Sequence, residues 1–215
     1  MCFPALLNYA SVAVLIPAGA YALLKADDKY QLFASAPLIF GLQQLLVGVI
    51  WICINANYNV LAHNFAVLYL FAIYFWWPVI IPAAVYRFKS ESSFNFLLLI
   101  LFFAGLLLGL ATYAPVLAGL KSFSLGLVGK TITLSVYTEF WQQALIAGCY
   151  VTVVMTSLLI ALTETTSWQR LLLIDVLLIM GVWCAVMFTG YWCYLPLLTV
   201  FYILYVYLAK ILKAS

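Results

Sequence analysis

Seven apolar stretches, each of about 20 residues, fill almost all of this 215-residue chain. A helix of about 20 residues crosses a hydrocarbon core of roughly 30 Å, and backbone polar groups inside a bilayer must be hydrogen-bonded within the segment. Only 7% of the residues are charged. We therefore predict an all-α membrane protein, a seven-transmembrane-helix bundle in a single integral domain over residues 1–215. The predicted spans are 4–24, 31–54, 64–86, 93–113, 138–162, 169–189 and 191–210.

The distribution of basic residues predicts the orientation of the bundle. Positive residues concentrate in cytoplasmic loops. One set of predicted loops and tails holds seven basic residues, Lys25, Lys29, Arg87, Lys89, Arg170, Lys210 and Lys213, whereas the other set holds two, Lys121 and Lys130. We expect the N-terminus outside and the C-terminus inside, in a cytoplasmic (inner) membrane. The basic residues are too dispersed for nucleic acid, and we predict no nucleic-acid partner.

The longest predicted loop joins helices 4 and 5, on the outer side. Residues 123–136 alternate apolar and polar side chains, with β-branched residues around a turn that contains glycine. This pattern favours a short β-hairpin, and an irregular surface loop is the alternative. Because an isolated two-stranded hairpin is marginal in water, a hairpin here would have to lie on the bundle, where it could cover an outer cavity.

Polar side chains inside the predicted spans are candidates for ligand contact, because such side chains are costly in a membrane. Gln43 and Gln44 fall near the middle of helix 2, and Asp175 falls inside helix 6. Glu139, Gln142 and Gln143 share one face at the start of helix 5. The alternatives are amides that only join helices, a helix cap at Glu139, and an Asp175 that snorkels or stays protonated.

Prolines and aromatic residues add further candidates. Pro17, Pro78, Pro82 and Pro196 are predicted to kink their helices. Such kinks expose carbonyl groups to a ligand or simply shape the packing. Trp51 and Trp77 are candidate walls of an aromatic pocket. For Trp51, an interfacial aromatic belt is the alternative.

The chain has five cysteines and one histidine. Cys149 and Cys184 are expected to be buried as small hydrophobic residues. Cys2, Cys53 and Cys193 all map to the outer side, where a disulfide, with Cys2 and Cys193 as the favoured pair, a metal site and free thiols all remain open. The identity of any metal is unknown, and we predict no cofactor. A zinc site of three histidines is excluded, and no glycine-rich phosphate loop or nucleophile elbow is present.

Several short motifs carry a resemblance that extends over nearly the whole chain. They are Met1-Cys2-Phe3-Pro4-Ala5, then Pro37-Leu38-Ile39-Phe40-Gly41-Leu42-Gln43-Gln44, Gly48, Trp51, Trp77-Pro78, Pro82 and Trp192-Cys193. Together they resemble an uncharacterised family of seven-helix bacterial membrane proteins whose members begin Met-Cys-Phe-Ser-Ala. The resemblance implies the topology but no reaction.

This chain departs from the family pattern at three points. Family members commonly have Ser where Pro4 stands and Glu where Val47 stands. They also often have His in the outer loop near Lys130-Thr131. A proton carrier at position 47, or a metal site that uses that histidine, would be missing here.

Three functions are compatible with these features. The favoured one is binding or transport of a small molecule through a cavity inside the helix bundle. The alternative is a non-catalytic accessory subunit or assembly factor that binds other membrane subunits. An enzyme acting on a lipid or quinone is disfavoured, because the candidate groups Asp175, Glu139 and His63 do not obviously converge.

Overall fold

The computed structural model describes residues 5–88, 94–128, 131–136 and 140–162. These residues are mostly helical. The α-helices are α1 (Ala5–Lys25), α2 (Gln31–Ala34), α3 (Ala36–Asn55), α4 (Asn59–Phe71), α5 (Trp77–Phe88), α6 (Asn95–Leu117) and α7 (Phe140–Leu162). A 3₁₀ turn covers Asp28–Tyr30, and a π-helical turn covers Ala72–Trp76.

Four helical stretches of the described chain are long and apolar enough to cross a membrane. They are Leu6–Lys25, Gln31–Asn55, Asn59–Phe88 and Asn95–Leu117. A further apolar helical run covers Leu145–Ala161. The membrane class predicted from the sequence is therefore supported. The predicted spans 169–189 and 191–210 lie outside the described residues.

The first two long helices, α1 and α3, pack closely in antiparallel register through glycines. Gly19 lies against the backbone of Leu38, and Gly41 lies against Ile16. Further along the same interface, Gly48 lies against the ring of Tyr9. Small residues allow helix backbones to approach each other in membranes. The glycines thus fix how α3 is oriented, with one side against α1 and the other toward the bundle interior.

The main apolar core lies on that other side of α3. It contains Val47 and Ile50 from α3 and Leu70 from α4, together with Val154 from α7. All four are at most 3% exposed. The core therefore joins α3, α4 and α7, and this is where interior polar groups must be sought.

Two β-strands lie against the core. β1 (Phe123–Val128) pairs antiparallel with β2 (Thr131–Val136), in a register that sets Leu125 opposite Leu134. Ile132 is 3% exposed and belongs to the core cluster. A two-stranded sheet gains stability from packing of this kind.

The helix boundaries differ from the predicted spans where backbone geometry intervenes. The third predicted span begins at residue 64, but α4 begins at Asn59. The chain reverses at Asn57, whose φ of 61° is left-handed, and the helix restarts two residues later. Asn is one of the few non-glycine residues that adopt this conformation readily. Helix α6 continues through Pro115 to Leu117, beyond the predicted end at 113.

Candidate ligand site in the helix bundle

Two neighbouring amides occupy the middle of α3. Gln43 is 4% exposed and Gln44 is 1% exposed. Each amide offers two N–H donors and one oxygen acceptor. Burial without hydrogen bonds costs free energy, so the partners of these two side chains define the chemistry of the site.

Gln43 is held in place by Trp77. The indole N–H of Trp77 donates to the side-chain oxygen of Gln43, with 3.3 Å between nitrogen and oxygen. The same indole stacks on Phe40, with 4.4 Å between ring centroids and 29° between planes. This contact uses the oxygen of Gln43 and leaves its NH₂ group to face other partners.

The π-helical turn sets the position of Trp77. Its backbone N–H donates to the carbonyl of Ala72, five residues earlier, where an α-helix would use the residue four earlier. Pro78 has no N–H, and its ring crowds the carbonyl of Tyr74, which accounts for the local widening. Single π-turns inside helices occur frequently at functional sites.

One side of α3 carries the candidate residues. Phe40, Gln44, Val47 and Trp51 are spaced four, three and four residues apart, so they lie along one stripe. The indole nitrogen of Trp51 is buried and has no hydrogen-bond partner. The amide of Gln44 is buried as well. The stripe therefore presents an unpaired donor at Trp51 and a buried amide at Gln44.

The buried serine and threonine hydroxyl groups Ser11, Thr112 and Ser157 are satisfied within their own helices. Ser11 donates to the carbonyl of Leu7 at 2.9 Å. Ser157 donates in the same way to the carbonyl of Val153, at 2.7 Å. Thr112 likewise bonds a carbonyl of its own helix. These local bonds leave the α3 amides as the better candidates for ligand contact.

The polar interior of the described chain is uncharged. Its buried polar side chains are Asn8, Ser11, Gln43, Gln44, Thr112 and Ser157, none of which ionises. Among the described residues, no group of three or more His, Cys, Asp or Glu side chains could hold a metal ion. The buried polar side chains of the described residues are therefore suited to neutral hydrogen bonding.

The structure brings Gln43 of α3 and Trp77 of α5 together, and it places Gln44 and Trp51 on α3. The other candidates are placed elsewhere or lie outside the described residues. Pro17 lies inside α1, which is assigned as helix throughout, and Pro82 lies inside α5. Gln142 is half-buried in the first turns of α7, and Gln143 belongs to the same helix. Outside the described residues lie Cys2, Glu139, Asp175, Cys193 and Pro196.

Two structural features near α3 and α4 were not predicted from the sequence. Phe40 could have been found from its spacing, since it precedes Gln44 by four residues and so shares its side of the helix. The stack of His63 on Phe123, with 4.4 Å between centroids, joins α4 to β1 and had no local sequence signal. Cys149 was expected to be buried, but it is exposed on α7.

Comparisons with known proteins give no further guide to this site. The chain matches no protein-family model, no curated protein and no solved structure. The resemblance to the bacterial seven-helix family therefore stays a prediction.

Proposed function

We propose that this chain binds or transports a small molecule through the interior of its helix bundle. The observation that carries the proposal is the pair of amides in mid-α3. Gln43 and Gln44 are both buried, and Gln43 accepts a hydrogen bond from Trp77, which directly follows the π-turn. Membrane interiors tolerate such groups where they serve a function.

Gln43 and Gln44 would have different roles at this site. The bond from Trp77 engages the side-chain oxygen of Gln43, and its NH₂ group is the part of the amide that would contact a ligand. Gln44 is the neighbouring amide, three residues after Gly41 and four before Gly48, and so it borders the side of α3 that packs on α1. A site of this kind binds through a few directed polar groups within an apolar wall.

The proposal includes the arrangement of the whole chain. It places seven helices in a bacterial inner membrane, with the N-terminus outside and the C-terminus inside. The four long apolar stretches support multiple crossings, and the uneven distribution of basic residues supports the orientation. In this arrangement β1 and β2 form a hairpin over the outer end of the bundle, as a cover for the site.

Native mass spectrometry of protein extracted gently from its own membranes tests the proposal. We expect the wild-type chain to carry a bound small molecule. Gln43→Leu should lose that molecule, because the substitution removes the amide and leaves the Trp77 N–H without its acceptor. Gln31→Leu is the matched control, since Gln31 lies in α2 and bonds Asp28 at 3.0 Å, away from the site.

Three results would count against this function. The first is a wild-type protein that carries no small molecule, and the second is a folded Gln43→Leu variant that retains the molecule fully. Co-migration with other polypeptides in place of a small molecule would favour the accessory-subunit alternative. Thermal unfolding of both variants in the same detergent separates loss of binding from loss of fold.

A further inference from the structure

We infer that the ligand is an uncharged, lipid-soluble molecule with a hydrogen-bond-accepting oxygen, recognised by the indole N–H of Trp51 and the amide of Gln44. The inference rests on the proposed binding function and specifies the chemistry of the molecule bound there. It follows from three features of the described bundle: an unpaired donor at Trp51, a buried amide at Gln44, and buried polar side chains that carry no charge.

Trp51 determines the type of ligand group. Its indole nitrogen is buried without a partner. An indole N–H can donate a hydrogen bond but cannot accept one. The missing partner is therefore an acceptor, and a carbonyl, ether or hydroxyl oxygen meets this requirement. A buried donor left unpaired is destabilising. A ligand oxygen that accepts a hydrogen bond from this indole therefore lowers the free energy more than the same oxygen does when it bonds to water.

Gln44 supplies the second polar contact. It lies seven residues before Trp51 on the same stripe, about 10 Å along the helix axis. Val47 lies between them and is 1% exposed. Val47 belongs to the packed core, so a molecule that reaches both groups must displace part of the packing that covers this side chain. This spacing fits a one- or two-ring body with oxygen at its polar positions, rather than a fully hydroxylated sugar.

The buried polar residues around the site indicate that the ligand carries no charge. A charged group in a membrane interior needs a partner of opposite charge. The buried polar residues of the described bundle are amides and hydroxyls. Because an anion or cation would find no ionic partner among them, the described site discriminates in favour of neutral molecules.

Trp76 provides an internal comparison. Its indole nitrogen is also buried and has no partner. However, Trp76 lies in the π-turn within an aromatic cluster, with 6.2 Å between its ring centroid and that of Phe71. Phe71 in turn packs edge-on against Tyr113 of α6. Trp76→Phe thus deletes the same chemical group in different surroundings, and we expect it to leave binding unchanged.

Two probes with one skeleton test the inference. Benzophenone is an uncharged aromatic ketone, and benzoylbenzoate is the same ketone with a carboxylate. Each is titrated against the full chain in phosphatidylcholine nanodiscs and then cross-linked by light. The readout is the saturable labelling of peptides from residues 36–55, measured by mass spectrometry.

We expect benzophenone to label these peptides saturably and benzoylbenzoate to label them much less. Loss of one hydrogen bond typically weakens binding by about threefold to tenfold. Trp51→Phe and Gln44→Leu should each show a weakening of this size, whereas Trp76→Phe should match the wild type. Trp51→Phe keeps an aromatic ring at the position, which guards against a trivial loss of fold.

Equal labelling by the two probes, or unchanged benzophenone affinity in Trp51→Phe, would overturn the inference. The outcome is separable from that of the proposed function. A charged molecule retained from the native membrane would refute the neutral-ligand inference and leave interior binding intact. A wild-type chain that retains nothing and binds neither probe would refute both.

Discussion

The contact between α6 and α5 at Gly105 gives a quantitative prediction. A Cβ atom at Gly105 would collide with the carbonyl oxygen of Pro78 and would lie 2.7 Å from its carbonyl carbon. Pro82, four residues after Pro78, has no N–H to occupy that carbonyl. The free carbonyl therefore faces α6, and only glycine permits the observed approach.

The size of the effect follows from this geometry. Carbon atoms pack best at about 3.5–4.0 Å, so Gly105→Ala must move the two helices apart by about 1 Å. Overpacking of this kind costs about 1–3 kcal/mol, and so short a contact belongs at the upper end. Alanine regains about 1 kcal/mol over glycine inside a helix. We expect Gly105→Ala to lower the free energy of unfolding by about 2 kcal/mol.

Gly148→Ala is the matched control. A Cβ at Gly148 of α7 meets nothing within 4 Å, so this variant should gain stability or stay unchanged. Titration with sodium dodecyl sulfate in mixed micelles, followed by tryptophan fluorescence, measures both variants. The argument is refuted if Gly105→Ala unfolds at the same detergent fraction as Gly148→Ala.

Three further predictions concern the core and the cysteines. Trp77→Phe removes the donor to Gln43 and should cost about 1–3 kcal/mol in the same titration; unchanged stability would contradict the role given to that bond. Ile132→Asp buries a charge and should release the strands, seen as faster proteolysis of residues 123–136, and a wild-type rate would refute their anchoring. A lipid-soluble maleimide should label the exposed Cys149 before the buried Cys53, as measured by peptide mass spectrometry, and the reverse order would contradict their placement.

Hydrophobic length predicted the membrane class and most helix positions, because each long apolar stretch must pair its own backbone groups. The alternation in residues 123–136 likewise favoured strands, and the described segments β1 and β2 pair there. Both signals are local in sequence. A local pattern is enough when the physical requirement lies within one segment.

The details that position the site are not local. Pro78 predicted a distortion, but the π-turn before it also depends on how α5 packs. Gly105 looked like an ordinary helix residue, and its close approach to Pro78 exists only between two helices. Cys149 is flanked by apolar residues in the sequence, yet its side chain is exposed. The helices that pack against α7 determine which side of α7 is buried, and the local sequence does not show this.

The candidate site was partly predictable for the same reason. Gln43 and Gln44 stood out because amides are costly in mid-span. The sequence did not show that only Gln43 is bonded to Trp77, because that hydrogen bond joins residues 34 apart in the chain. The unpaired indole of Trp51 is likewise visible only when its surroundings are in place.

A density map of the chain in lipid, at a resolution that separates ligand atoms from side chains, tests the central claim most directly. The account predicts non-protein density against α3, with an oxygen within about 3 Å of the Trp51 indole nitrogen and a contact to the Gln44 amide. A map in which protein side chains fill that space and satisfy both groups would contradict interior ligand binding.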